Sequence, residues 1–114
     1  MPNKRYTDKD YLKWITTLPC ILTKAGYYTH SDIIQAHHLL KPESGHRGIG
    51  LKAHDHEVIP LCTHHHHLLH TKFGDEHKFF EHYGLDKNFG VIWARRLYEK
   101  RSWLDEQDDD YLPF

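Results

Sequence analysis

Several things are scarce in this chain, and each scarcity excludes something. There are two cysteines, Cys20 and Cys62, in 114 residues. With no secretory leader in view, two thiols do not make a disulfide framework. Beside many histidines they read either as zinc ligands or as two buried thiols. No apolar run approaches the roughly 18 residues that a membrane helix needs. The N-terminus, Met1-Pro2-Asn3-Lys4-Arg5-Tyr6, passes directly into a charged segment, so no signal peptide is expected. These absences point to a cytoplasmic protein without a membrane partner. No internal repeat and no interdomain linker interrupts the chain, and its length suits one domain with a modest core. Hydrophobic residues still make up 39%, with three Trp, seven Tyr and five Phe, which excludes wholesale disorder.

Net charge is also nearly absent, at −1, but its distribution is uneven. Five of the sixteen acids (Asp105, Glu106, Asp108, Asp109 and Asp110) lie in the last ten residues. Residues 1–104 therefore hold 15 basic side chains against 11 acidic ones, a net of +4. A mildly basic body with an acidic tail at 105–114 is compatible with phosphate binding.

What the chain has in excess is histidine, with thirteen in all. His37, His38, His46, His54, His56, His64, His65, His66, His67 and His70 fall within 34 residues, and the run of four is internal. Around them the pattern predicts a helix over 8–18, opened by Thr7, Asp8 and Asp10 and stopped by Pro19. An irregular segment over 19–35 and a strand within 33–40 follow. A Gly- and Pro-rich loop spans 41–50. A second strand over 58–61 ends near Pro60. Thr63 is placed to N-cap a helix that runs to about Phe73 and ends at Gly74. Asp75 and Asp86 open two further helices, the last carrying Arg95, Arg96, Lys100 and Arg101, most simply as a solvated face.

Two spacings carry chemistry. His66 and His70 are separated by four, so on a helix their imidazoles share one face and can chelate one divalent ion. His65 or His67 would stand in if the register differed by one. His37 and His38 are adjacent on a strand, so their side chains point to opposite sides. One can hold a cation while the other, free and neutral, takes a proton from water, which is the division phosphodiester hydrolysis requires.

Leu18-Pro19-Cys20, Ala36-His37-His38, Lys52-Ala53-His54-Asp55 and Pro60-Leu61-Cys62-Thr63-His64-His65-His66, closed by His70, occur in that order. Over residues 11–86 this order resembles the HNH (ββα-metal) endonucleases, in the branch found in phages and prophages. The resemblance implies an α+β fold, with a small treble-clef-like ββα-metal core flanked by an N-terminal helix and C-terminal helices. It implies one domain over 1–104, with its core at about 19–74 and a helical extension at 75–104. His37, His66 and His70 match the metal ligands, and His38 matches the general base. The central position of the HNH motif falls on Glu57 or its neighbour His56, where it ties the inter-strand loop together.

Relatives also staple the motif with a structural zinc whose first ligand pair is Cys-x-x-Cys. Here that pair reads Cys20-Ile21-Leu22-Thr23, one thiol short. Either Cys20, Cys62 and His65 remain with another histidine as fourth ligand, or the zinc has been lost and the cysteines are buried neighbours. The missing thiol favours the second.

The implied activity is hydrolysis of DNA to 5′-phosphate and 3′-hydroxyl ends with one divalent ion, Mg²⁺, Mn²⁺, Ni²⁺ or Zn²⁺. Lys52 and Arg47 are candidates for holding the phosphate backbone, or else exposed loop charges. Such contacts read no bases, so sequence preference should be weak and binding salt-dependent. Targeting would then fall to a DNA structure or to a partner such as a recombination or phage replication protein. A dimer is compatible with the sequence. The competing expectations are a non-catalytic zinc-stapled DNA-binding or adaptor domain and a metal-sequestering protein.

Overall fold

Helix α1, Lys9–Ile15, starts where Asp8 caps it, the carboxylate accepting the Tyr11 N–H at 3.0 Å. It is shorter than the expected 8–18. Thr16 and Thr17 turn their hydroxyls back onto the carbonyls of Lys13 and Trp14, offering the backbone an alternative to another helical turn. The computed structural model describes residues 5–29, 31–45 and 52–105. Arg47, and most of the acidic tail, lie outside the described residues.

The segment expected to be irregular contains a single helical turn, α2, Ile21–Lys24, which buries Ile21 and Leu22. Two strands follow, β1 (Ile34–His38) and β2 (Val58–Cys62), paired antiparallel with Ala36 opposite Pro60 and His37 opposite Ile59. Pro60 does not end β2. In a two-stranded sheet each strand keeps an unpaired edge, on which a residue without N–H can sit. All five residues of β2 are buried. Ile59, Leu61 and Cys62 join a core with Cys20, Leu22, Leu39, Leu69, Phe79 and Phe80, while Val58 joins Tyr11, Ile15, Leu18 and Leu97. Each fully buried phenylalanine or leucine in these clusters is worth about 1.5–3 kcal/mol.

Helix α3, Thr63–Leu68, begins one residue earlier than the sequence suggests. Cys62 occupies the cap position with no side-chain cap bond, and the Thr63 hydroxyl donates instead to Ser31 Oγ. The expected single helix to Phe73 divides at Leu69 into a π-helical turn, Leu69–Phe73, closed by Gly74 at φ 84°. The His66–His70 pair thus straddles the junction. Asp75 caps α4, Glu76–His82, by accepting from the Lys78 N–H at 3.0 Å. Helix α5 is Phe89–Asp105. Gly90 lets α5 approach closely, since a Cβ there would lie 3.0 Å from Phe80 and 3.2 Å from Leu39. On α5, Arg95 pairs with Glu43, and Arg96 lies over the Trp93 ring. The domain is therefore α+β, a two-stranded sheet with helices packed around it. Among the described residues no helix is long and apolar enough to cross a membrane.

Candidate metal centre

Strand alternation sends His37 inward, where it is 1% exposed, and His38 to the other side. His66 from α3 and His70 from the π turn meet the inward His37. The ring centroids stand 5.0 Å apart for His37–His66, 5.3 Å for His37–His70 and 4.8 Å for His66–His70. One nitrogen of each falls within 4.8 Å of the others. The Nε2 atoms of His66 and His70 are 3.1 Å apart. A tetrahedral ion with bonds of 2.0–2.1 Å separates its nitrogens by about 3.3 Å, so the pair is close to chelating distance.

The partners of the remaining nitrogens fix which atoms point inward. His37 Nε2 donates to Glu76 Oε2 at 2.9 Å, leaving Nδ1 for the centre. His66 Nδ1 donates to Gln35 Oε1 at 2.5 Å, leaving Nε2. Burial, with His37 and His70 adding to it, lowers the His66 pKa to about 4, so at neutral pH that nitrogen offers a lone pair. His67 is exposed and takes no place in the group. The donors, three imidazoles with one nitrogen each within 4.8 Å of the others, fit a borderline divalent cation.

His38 lies beside this group. Its Nε2 donates to Asp55 Oδ1 at 2.8 Å. Burial lowers the His38 pKa, and Asp55 opposes the shift without cancelling it, so the imidazole is neutral near pH 7 with a lone pair on Nδ1. Asp55 is 3% exposed and also accepts from Arg5 Nη1 at 2.5 Å and from the Asp8 N–H at 2.8 Å. Burial pushes its carboxyl up, but the hydrogen bonds from His38, Asp8 and Arg5 outweigh it and hold the group below the usual carboxylate range. Ala36, His37, His38, Leu40, Lys52, His66 and His70 line one cleft of about 320 Å³. Lys52 is the exposed cation among these lining residues.

The two candidates for the central motif position separate. Glu57 is buried and accepts from both the N–H and the hydroxyl of Ser44, at 3.0 and 2.7 Å, holding the inter-strand loop. His56 and Glu57 both border a different cavity of about 220 Å³, with Leu39, Arg95 and Tyr98, but His56 holds no loop in the same way, its Nδ1 being buried without a hydrogen-bond partner.

A second group that could hold a metal is wholly buried. His65 Nδ1 lies 3.6 Å from Cys20 Sγ and 3.2 Å from Cys62 Sγ. Among the described residues no fourth His, Cys, Asp or Glu joins these three, and Thr23 spends its hydroxyl on Thr29.

Residues 2–94 match the family described as "Protein of unknown function (DUF968)". The chain belongs to that family. It is also similar to the "Uncharacterized protein YdfU" of Escherichia coli (strain K12), at 38% identity over 81 residues, which is 71% of this chain. The matched part is 20% of that relative, so the chain spans about a fifth of its length. No solved structure shows a significant match.

Sequence reasoning assigned no role to the residues in contact with these histidines. Asp55 lay inside a quoted element, and Glu76 was singled out by nothing in its surroundings. Gln35 carried no signal at all. A DUF968 chain with these residues in place has three clustered imidazoles, a fourth kept neutral by burial while hydrogen-bonded to a buried carboxylate, and a lysine lining the same cleft.

Proposed function

We propose that this chain is a metal-dependent endonuclease of the HNH (ββα-metal) type that hydrolyses phosphodiester bonds in DNA. The observation that carries the reading is the convergence of His37, His66 and His70 in one cleft with His38 and Lys52. The order β1, β2, α3, with candidate ligands on β1 and on α3 and its π turn, supports a ββα-metal core.

His37, His66 and His70 would hold one divalent ion, Mg²⁺, Mn²⁺, Ni²⁺ or Zn²⁺. When bound, the ion supplies Lewis-acid stabilisation of the charge that develops on the phosphate and the leaving 3′ oxygen. His38 takes a proton from the attacking water at Nδ1. Asp55 keeps the other proton on Nε2 and steadies the imidazolium that results. Lys52, and Arg47 from the same loop, attract the backbone phosphate. Glu57 ties down the loop at Ser44. The products are 5′-phosphate and 3′-hydroxyl ends. Weak sequence preference follows from contacts to phosphate alone, with targeting by DNA structure or by a recombination or phage replication protein. The setting is a bacterial cytoplasm, with the gene phage-derived, and a dimer would turn a nick into a double-strand cut.

The test is nicking of supercoiled plasmid by EDTA-stripped protein, restored with each metal in turn, with His38→Ala alongside. We expect metal-restored nicking that falls by about 10²–10⁴ in the variant. Folded protein that nicks with no metal, or a His38→Ala variant as active as the parent, refutes the assignment. The buried Cys20–Cys62–His65 group favours a second reading, a non-catalytic zinc-stapled DNA-binding or adaptor domain. On that reading His38→Ala keeps DNA binding and there is no nicking to lose.

A further inference from the structure

Glu76 is 3% exposed, and three donors converge on its two oxygens. They are His37 Nε2 at 2.9 Å, the Leu40 N–H at 2.8 Å and the Lys41 N–H at 2.7 Å. Oε2 accepts the first two and Oε1 the third. Only an ionised carboxylate suits this set, because an amide would set one of its own N–H groups against a buried N–H. The same oxygen thus touches a candidate metal ligand and the backbone where β1 runs into the loop bearing Lys52.

His37 is the innermost of the three imidazoles and has the fewest alternatives. His66 gives its outer hydrogen bond to the exposed Gln35, a place that water can fill. His37 has no such substitute at 1% exposure. Without an acceptor at Nε2, the ring would leave a buried N–H unpaired or move the proton to Nδ1, the atom that faces His66 and His70. Either change removes a ligand from the centre.

We propose that Glu76 is the positioning residue of the metal centre, its carboxylate holding His37 in the Nε2–H form so that Nδ1 is the ligand atom, an inference that rests on the His37–His66–His70 reading. It acts through His37 and touches neither ion nor substrate. Carboxylates that orient a ligating histidine in this way typically change metal affinity by about 10- to 100-fold.

Two measurements test this. The first is Co²⁺ titration of the EDTA-stripped full chain, read by ligand-field absorption and chelator competition, for the parent, Glu76→Gln and His66→Ala. A thiolate-to-cobalt charge-transfer band marks any ion at Cys20, Cys62 and His65, and the part of the ligand-field absorption that titrates apart from that band reports the histidine centre. We expect His66→Ala to lose that signal and Glu76→Gln to bind Co²⁺ about 10- to 100-fold more weakly, with a changed band shape. Loss in His66→Ala with parental affinity and spectrum in Glu76→Gln overturns the role of Glu76 alone. Equal Co²⁺ binding by the parent and His66→Ala overturns the metal reading beneath it. The second measurement needs no variant and holds even if Glu76→Gln fails to fold. Long-range ¹H–¹⁵N spectra of the metal-free parent should show the His37 proton on Nε2, and a proton on Nδ1 overturns the proposal.

Discussion

Replacing Asp55 with Asn changes one atom of a buried side chain and separates two roles of its charge. The carboxylate accepts from His38 Nε2 at 2.8 Å and Arg5 Nη1 at 2.5 Å on one oxygen, and from the Asp8 N–H at 2.8 Å on the other. An amide cannot serve both ends. If its oxygen faces His38 and Arg5, its NH₂ meets the N–H of the residue that caps α1. If it turns over, the NH₂ meets the His38 Nε2–H and drives that proton to Nδ1. Each hydrogen bond to a charged group is worth about 1.5–3 kcal/mol. The Arg5 pair counts for less, about 1 kcal/mol or below, because the guanidinium side is 33% exposed. A loss of about 2–4 kcal/mol follows, which for a domain of this size is a fall in Tm of roughly 10–20 °C.

The pH dependence gives the loss a signature. Asp55 has its folded pKa depressed, so its contribution is fully present above the unfolded value of about 3.9 and disappears as the pH falls through the lower folded value. The Tm gap between the parent and Asp55→Asn should therefore be constant from pH 7 to about pH 5 and close below about pH 4. Circular dichroism melts across that range measure it, with plasmid nicking at pH 7 as the second readout. Nicking should fall by about 10²–10⁴, as expected when a general base loses its lone pair. A gap that does not change with pH, or a folded Asp55→Asn with parental nicking, refutes the reasoning.

Lys52→Ala should weaken DNA binding at all sequences alike and reduce the slope of log affinity against log salt by about 1, measured by fluorescence anisotropy at several salt concentrations. Parental slope would return Lys52 to an ordinary exposed loop charge. Native mass spectrometry with Zn²⁺ should find two ions on the EDTA-stripped parent. Cys62→Ser and His66→Ala should each hold one, since their ligand sets share no residue. Equal stoichiometry in all three chains refutes two independent sites.

The clustering of the candidate ligands was legible because a metal site requires residue type and local spacing together. His66 and His70 are four apart on a helix, and His37 and His38 are neighbours on a strand, so geometry within a few residues was enough. Helix ends were legible for the same reason where a cap was local, as at Asp8 and Asp75. The partners of the histidines were not. Asp55 reaches His38 across 17 positions and Glu76 reaches His37 across 39, and no period links such residues before the chain has folded. Pro60 misled through a rule that holds for central strands only. The π turn at Leu69–Phe73 was hidden because nothing in Leu69-His70-Thr71-Lys72-Phe73 distinguishes it from another α-helical turn.

His37 and His38 show how far the same chemistry can be divided by its surroundings. Both are neighbours on β1, and both give their Nε2–H to a buried carboxylate, at 2.9 and 2.8 Å. A hydrogen-bonded carboxylate therefore cannot by itself decide which of them holds a cation and which takes a proton. The difference lies at Nδ1. For His37 that is the nitrogen left to face two more imidazoles, a set suited to one ion, in which burial and the neighbouring rings lower the His66 pKa to about 4. His38 lines the same cleft but is not one of the three clustered imidazoles, and a proton accepted there finds the Asp55 charge one ring away. Strand alternation alone produces the split. Moving β1 by one residue would exchange the two environments, so the register of Ala36 against Pro60 is as much a condition of the proposed chemistry as the histidines themselves.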